Sequence, residues 1–527
     1  VPVVRLVLDA RVTLWRAAEF VTGGSPWRMA KLAPSLRDLV VRLRSAGAAG
    51  LVPPASEAAF AAVLVERGLA HPVPGRRPGP HDVTVVVPVY GRPASLARCL
   101  DGLRGVDVVV VDDATPHAAA RVEVEDLARG HGATYHRLGT NRGPAAARNA
   151  GAAFATSGLV AFVDSDCRPE PGWLDVVVPH FDDPRVGAVA PRVRPVEARG
   201  TVLERYEAMS SALDMGRRPA LVRPAAALGF LPSAALVVRR VAFCGNGSRP
   251  TGAPGHGFDE TLRLGEDVDL VWRLADDGWL VRYEPSVAVE HEMRDTWSDW
   301  AWRRLEYGTS AAALEARHPG RLAPVRLSPW NAGALALLGA GRPGAAAAAA
   351  TLATALLARR LRPTGGTPAM AASLVARGLV ADAVAVGHAG RREYWPLGVA
   401  ALATALGRRP SAARTASRLL ATAVLGQVAW DWARGPRTLD PLRYTGVRLV
   451  ADAAYGCGVQ AGSWRARSSA TLLPRFRRPP RPQRHAPACG DGRRMTAGLL
   501  GLSSSSQMFP SVSGRRYGPT RSRGGGR

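Results

Sequence analysis

The chain has 527 residues, 47% hydrophobic and 21% charged, so it can bury a sizeable core and divide into roughly two to four domains. Its five cysteines, Cys99, Cys167, Cys244, Cys457 and Cys489, show no CxxC or CxxH spacing, which argues against a zinc knuckle or a secreted cystine framework and favours a reducing compartment. Basic residues outnumber acidic ones 69 to 43, a net +26 carried by arginine, since lysine occurs only at Lys31. Twelve of those arginines, against the single acid Asp491, lie in the Pro/Gly/Ser-rich stretch from 474 to 527. That stretch reads as a disordered basic tail, and no specific nucleic acid is expected as a partner.

In chain order, Val1–Trp15 has no basic n-region, long apolar h-region or cleavage site, so no secretory signal is predicted. Residues 1–80 form the first segment and end in the linker-like Pro72–Pro80. Residues 81–320 alternate apolar runs with helical patterns. Val83–Val89, Val106–Val111 and Leu159–Val163 predict buried strands, and Ser95–Gly102, Ala118–Gly130 and Pro144–Ala155 predict helices between them. This order predicts an α/β domain built on a doubly wound sheet. Residues 321–473 turn Ala/Leu/Arg-rich with helical spacing. Their apolar runs Gly344–Ala358 and Leu419–Trp430 fall short of the roughly 18 to 20 residues of a spanning helix, so buried or surface-lying helices are expected.

Ligands of a doubly wound sheet sit beyond the carboxyl ends of its strands, and the polar residues there line up. Val89 is followed by Tyr90, Val111 by Asp112 and Asp113, and Val163 by Asp164-Ser165-Asp166. Two carboxylates at i and i+2 in an unwinding strand can face a divalent cation, Mg²⁺ or Mn²⁺, that also takes phosphate oxygens. Asn141–Gly151 opens as a loop and continues as a small-residue helix. Arg142, Arg148 and Asn149 can supply donors to a nucleotide, although packing alone also accounts for the small residues. Neither a Walker loop nor GxGxxG is present. Gly265–Leu274 starts an amphipathic helix with Glu266, Asp267 and Asp269 in its first turn. Acids there suit the helix dipole, and one in a cleft can serve as a general base. His291 can complete a metal site with the aspartates, whereas His291–Asp295 lacks the second His of HExxH and excludes a zinc protease.

Pro88-Val89-Tyr90, Asp112-Asp113, Asn141–Gly151, Asp164-Ser165-Asp166 and Gly265-Glu266-Asp267, in this order and spacing, resemble the family 2 glycosyltransferases with a GT-A fold. The resemblance implies a Rossmann-like mixed sheet, a nucleotide-sugar donor, usually a UDP-sugar, and a divalent metal on its diphosphate. It also implies inverting single displacement, with Asp113 at the uracil helped by Pro88, Tyr90 and Arg142. Asp164 and Asp166 would serve the metal and ribose, and Asp267, supported by Glu266, would be the base. Trp302–Gly308 does not match the QxxRW of processive synthases, which points away from long polymers.

The first segment, with Val12–Trp15, Gly23–Met29 and helices over Leu36–Arg44 and Ser56–Arg67, resembles the small winged-helix, peptide-binding PqqD-like modules. Such a module ahead of a family 2 transferase resembles the mycofactocin-system glycosyltransferases. That likeness implies UDP-glucose as donor and a premycofactocin-type acceptor carrying β-1,4-linked glucose. It further implies a precursor peptide at the module and a cytoplasmic location. A lipid or cell-wall acceptor at the inner membrane face is the nearest alternative, favoured by the apolar helices of 321–473. A non-catalytic peptide- or nucleic-acid-binding protein is a third reading, opposed by the intact Asp164, Asp166 and Asp267.

Overall fold

A strand such as Val83–Val89 has no polar face to offer water, so the sheet it joins must be covered on both sides. The computed structural model describes residues 4–196, 200–245, 257–293, 296–407 and 412–477. Its strands in chain order are β1 (Arg5–Leu8), β2 (Thr13–Trp15), β3 (Phe20–Gly23), β4 (Arg28–Lys31), β5 (Ala70–Val73), β6 (Val83–Val89), β7 (Asp107–Asp112), β8 (Thr134–Arg137), β9 (Leu159–Val163), β10 (Cys167–Pro169), β11 (Val186–Pro195), β12 (Ala220–Val222), β13 (Ala235–Arg239) and β14 (Leu280–His291). A large mixed sheet runs β10-β14-β11-β13-β9-β6-β7-β8, with β12 also on β14. The β6, β7, β8 and β9 strands are parallel, and β13 runs antiparallel to both β9 and β11.

The period of two is visible in the core. Val85, Val87, Val110, Ala161 and Val237 pack on one face with the Pro93–Asp101 and Ala118–Gly130 helices. Val86, Val111, Phe162 and Leu236 pack on the other with the Pro144–Phe154 and Glu266–Asp276 helices. A Cβ on Gly151 would lie 2.3 Å from Val86 Cγ1, so the run of small residues lets that helix rest closely on the sheet.

Residues 4–73 form a separate small core. β1 pairs with β5, β2-β3-β4 make an antiparallel sheet, and the helices Pro34–Ala46 and Ala58–Glu66 close over Leu36, Leu39, Leu43 and Leu64. Ser25 Oγ donates to Leu221 O at 2.6 Å on the large sheet, while Phe20 and Met29 pack against Leu357, Leu361 and Met370 of the C-terminal helices. The N-terminal segment is thus wedged between the other two parts of the chain.

Six helices follow the sheet domain: Pro329–Gly339, Pro343–Leu361, Pro368–Arg391, Trp395–Ala405, Ala412–Arg434 and Pro441–Arg465. Four of them begin with proline, whose missing N–H costs nothing in a first turn. Against the expectation of short apolar runs only, Pro368–Arg391 is long and apolar enough to cross a membrane, at a mean hydropathy of 1.6. The glycines and the buried Asp382 had split its pattern. Residues 475 and 476 were expected in the tail, yet Arg475–Phe476 pairs with Arg326–Leu327; residues 478–527 lie outside the described residues.

The last helix returns to the sheet domain by backbone-to-backbone contact with Trp297–Arg317. A Cβ on Gly458 would sit 1.9 Å from Leu305 O, and one on Gly308 2.1 Å from Tyr455 O. Gly458→Val is therefore expected to lower the melting temperature by a cost of about 1–3 kcal/mol or more. Gly446→Ala, on an exposed part of the same helix with nothing near its Cβ, is expected to be neutral or stabilising.

Candidate active site

The carboxyl ends of β6, β7 and β9, the end of β14 and the start of the Glu266–Asp276 helix surround one cleft of about 1020 Å³. Pro88, Tyr90, Asp113, Arg148, Asp164, Asp166, Glu266, Asp267 and His291 all line it.

The β7 end carries two acids with different surroundings. Asp112 is fully buried and accepts from Thr115 N (2.8 Å), Thr115 Oγ1 (2.6 Å) and Tyr135 Oη (3.0 Å). Thr115 Oγ1 in turn accepts from Gly91 N at 2.8 Å, so Asp112 ties the two neighbouring strand-end loops together. Asp113 accepts from the backbone N–H groups of Arg142 and Gly143, both at 2.8 Å. It thereby holds the loop that leads into the Pro144–Phe154 helix while facing the cleft.

The donors predicted on that helix are divided by its geometry. Arg148 reaches Asp164 Oδ1 at 2.6 Å with Nη2 and Glu266 Oε1 at 2.9 Å with Nη1, and is itself 3% exposed. Asn149 faces away, donating to Phe258 O at 2.8 Å and Glu260 Oε1 at 3.0 Å. The guanidinium of Arg142 pairs with Glu260. Neither Arg142 nor Asn149 lines the cleft; both brace the segment from 257 to 260, and Arg148 meets carboxylates of the site.

The Asp164-Ser165-Asp166 turn joins β9 to β10, and pairing of β10 with β14 puts Cys167 opposite His291. Asp166 Oδ1 and His291 Nε2 are 3.6 Å apart, a separation that two ligands at about 2.1 Å from one ion can span. Both are half-buried, and carboxylate oxygen with imidazole nitrogen suits Mn²⁺ better than Mg²⁺, which prefers an all-oxygen shell. Among the described residues no cluster of three His, Cys, Asp or Glu side chains converges as a ready ligand set, because Asp164 is drawn to Arg148. The donor set therefore fits an ion that takes its remaining ligands from a diphosphate and water.

Gly265, at φ +82°, begins the helix opposite, where a Cβ would meet Leu314 Cδ1 at 2.8 Å. Asp267 follows two residues later. It accepts from Val268 N at 2.8 Å and Ser233 N at 3.3 Å and remains partly open to the cleft. Burial raises its pKa above the ordinary aspartate value, against the opposing pull of Arg148. Glu266 is pushed up to about 7, first by burial and then by the Asp267 charge. Asp269 is structural. Fully buried, it accepts from His318 Nε2 (2.8 Å), Arg273 Nε (2.7 Å) and Arg317 Nε (3.0 Å), and these hydrogen bonds with the arginine charges outweigh burial and hold it well below the usual range.

The opposite wall was not anticipated. Arg303 and Tyr307 of the Trp297–Arg317 helix line it together with Arg392, Arg448 and Tyr455 from the C-terminal helices. The Arg392 guanidinium lies 3.8 Å from the Tyr455 ring centroid, and Arg448 Nε donates to Asp452 at 3.1 Å. The available sequence signal was the small-residue spacing Gly458/Gly462, which marks where that helix could approach another.

The family described as glycosyl transferase family 2 matches residues 84–243. Over 486 residues the chain is 38% identical to the pre-mycofactocin glycosyltransferase of Mycobacterium tuberculosis, in strains CDC 1551 / Oshkosh and ATCC 25618 / H37Rv, covering 89% of this chain and 97% of that relative. The chain belongs to the pre-mycofactocin glycosyltransferase family. It is a family 2 glycosyltransferase with a GT-A fold, and the similarity extends well beyond the sheet domain. The succinoglycan biosynthesis protein ExoO of Rhizobium meliloti is 29% identical over 237 residues, 41% of this chain and 61% of its own length. A solved structure of the mannosyltransferase PcManGT from Pyrobaculum calidifontis, in complex with GDP-Man and Mn²⁺, is 21% identical, with 76% of this chain and 99% of that one covered at a TM-score of 0.36.

Proposed function

We propose that this glycosyltransferase moves glucose from UDP-glucose to a premycofactocin-type acceptor with inversion, building a short β-1,4-glucan. The observation that carries the reading is the placement of Asp267, a carboxylate of raised proton affinity, in the same cleft as Asp113, Asp164, Asp166 and His291. An inverting displacement needs a base for the attacking hydroxyl on the face of the sugar opposite the leaving group. Asp267 takes that proton, and Arg148 positions it through Glu266. Asp113, with Pro88 and Tyr90, holds the nucleotide base, and Asp164 faces the ribose and diphosphate. Asp166 and His291 would hold a divalent ion, which when bound neutralises charge developing on the diphosphate. The acceptor enters from the wall of Arg303, Tyr307 and Tyr455, where aromatic faces and arginine suit an aromatic, partly polar molecule.

The acceptor assignment rests on the 38% identity to a protein named for pre-mycofactocin. By the same likeness, residues 4–73 hold a precursor peptide and the enzyme works in the cytoplasm. A position at the inner membrane face, or a lipid acceptor there, is favoured by one specific feature. The Pro368–Arg391 helix leaves Val380 65% exposed, and Leu397 and Leu406 are exposed beside it.

Incubating the protein with Mn²⁺, UDP-glucose and premycofactocin should give a ladder of added hexoses by mass spectrometry. Hydrolysis of UDP-glucose without transfer would count against the acceptor, and absence of donor binding would count against the whole reading. Asp166→Ala is expected to weaken Mn²⁺-dependent UDP-glucose binding at least about tenfold, read by calorimetry with and without the metal.

A further inference from the structure

A second cavity, of about 50 Å³, lies where the N-terminal segment meets the large sheet and shares no lining residue with the catalytic cleft. One wall is apolar, made by Leu6, Pro72 and one face of the Ala58–Glu66 helix, including Ala61 and Ala62. The other is charged, made by His180, Asp183 and Arg282 of β14. Ala61, Ala62 and Pro72 are only half-buried, so the apolar side opens to the surface.

Arg282 is 3% exposed, and its Nε and Nη2 are buried without a hydrogen-bond partner. The nearby acids are already committed. Asp183 accepts from Arg185 N and Nε at 3.0 Å and from its Nη2 at 2.9 Å. Glu284 accepts from His180 Nε2 and Ser286 N, both at 3.0 Å, and His180 Nδ1 faces no partner either. Burial lowers the Arg282 pKa to about 10, so it is cationic at neutral pH. A buried guanidinium with unmet donors opposes folding, and a carboxylate offers it two parallel acceptors.

We propose that this cavity binds a carboxylate borne on a short apolar group, with Arg282 as the anion partner and the Ala58–Glu66 helix as the apolar wall. The volume admits a carboxylate with a few carbons, not a nucleotide. Asp183 and Glu284 disfavour a dianion such as phosphate, because each adds negative charge beside the guanidinium.

The ligand chemistry has two sources, a free short-chain acid or the C-terminal apolar residue of a peptide. Calorimetry on the full chain with isovalerate, N-acetyl-glycyl-valine and isovaleramide separates them. Either carboxylate is expected to bind, the amide not at all, and Arg282→Met is expected to weaken binding at least about tenfold while melting no lower than wild type. Binding of one carboxylate alone identifies the source. Should Arg282→Met fail to fold, Ala61→Phe, which fills the apolar side and keeps Arg282, must abolish binding with the fold intact. No carboxylate binding up to about 10 mM, equal binding of the amide, or undiminished binding by the folded variants overturns the proposal.

Discussion

Asp267→Asn is expected to lower the transfer rate by about 10²- to 10⁴-fold and leave UDP-glucose affinity within about threefold, as read by initial rates and calorimetry. The amide keeps the shape, and its single oxygen can still accept from one of the two N–H groups that the carboxylate holds, Val268 N or Ser233 N, but it cannot take a proton. The pH profile gives an independent check. Burial raises Asp267, so the acid limb of the wild-type kcat/KM profile should lie above the ordinary carboxylate range. Stability should move the other way. Because Asp267 and Glu266 bind protons more tightly in the folded chain than in the unfolded one, ionising them costs stability as pH rises through their raised values toward about 7. Asp267→Asn should then melt above wild type at and above neutral pH, with the gap closing in acid. Wild-type activity in this variant would remove Asp267 from the mechanism and leave Glu266 as the candidate base.

Much of the donor side was legible because a buried parallel strand writes itself as an unbroken β-branched run. Val83–Val89, Val106–Val111 and Leu159–Val163 correspond to β6, β7 and β9, and the acids just beyond them meet in one cleft. The later strands were harder to see. The β11 sequence carries Gly187, Pro191 and Pro195, and its register with β14 breaks between Pro191 and Arg192, which hides the period of two. His291 owes its place to that same strand, since β14 is long enough to pair with β12 at one end and β10 at the other.

Arg148 and Asn149 show where a motif stops informing. Consecutive helical residues point about 100° apart, so only one of two adjacent polar side chains could face the cleft. Which one was decided by partners 109 to 118 residues away, Phe258 for Asn149 and Glu266 for Arg148. The far wall is a stronger case. Arg392, Arg448 and Tyr455 sit in an Ala/Leu-rich stretch; Arg448 and Tyr455 reach the site because Gly308, Gly458 and Gly462 let two helix backbones cross closely, and Arg392 because Gly456 lets its backbone come up against the second of them. Such a contact between helices over a hundred residues apart leaves only a spacing of small residues in the sequence.

Arg148→Met is expected to cost about 3–5 kcal/mol of stability, the reverse of the effect on melting of Asp267→Asn. It removes the cation that holds Asp164 and Glu266 together and strands a buried carboxylate, Glu266 being only 6% exposed. Its consequence for catalysis has a definite sign. Arg148 opposes the rise of both the Glu266 and Asp267 pKa values, so removing it should shift the acid limb of kcat/KM further upward. Arg148→Lys keeps the charge without the fork that spans two carboxylates, and should restore much of the limb position but less of the melting temperature. A melting loss with the pH profile unmoved in both variants would make Arg148 a packing residue alone. A shifted limb that lysine rescues would mark it as the residue that sets the proton affinity of the base, acting from the buried side of the helix that carries Asp267.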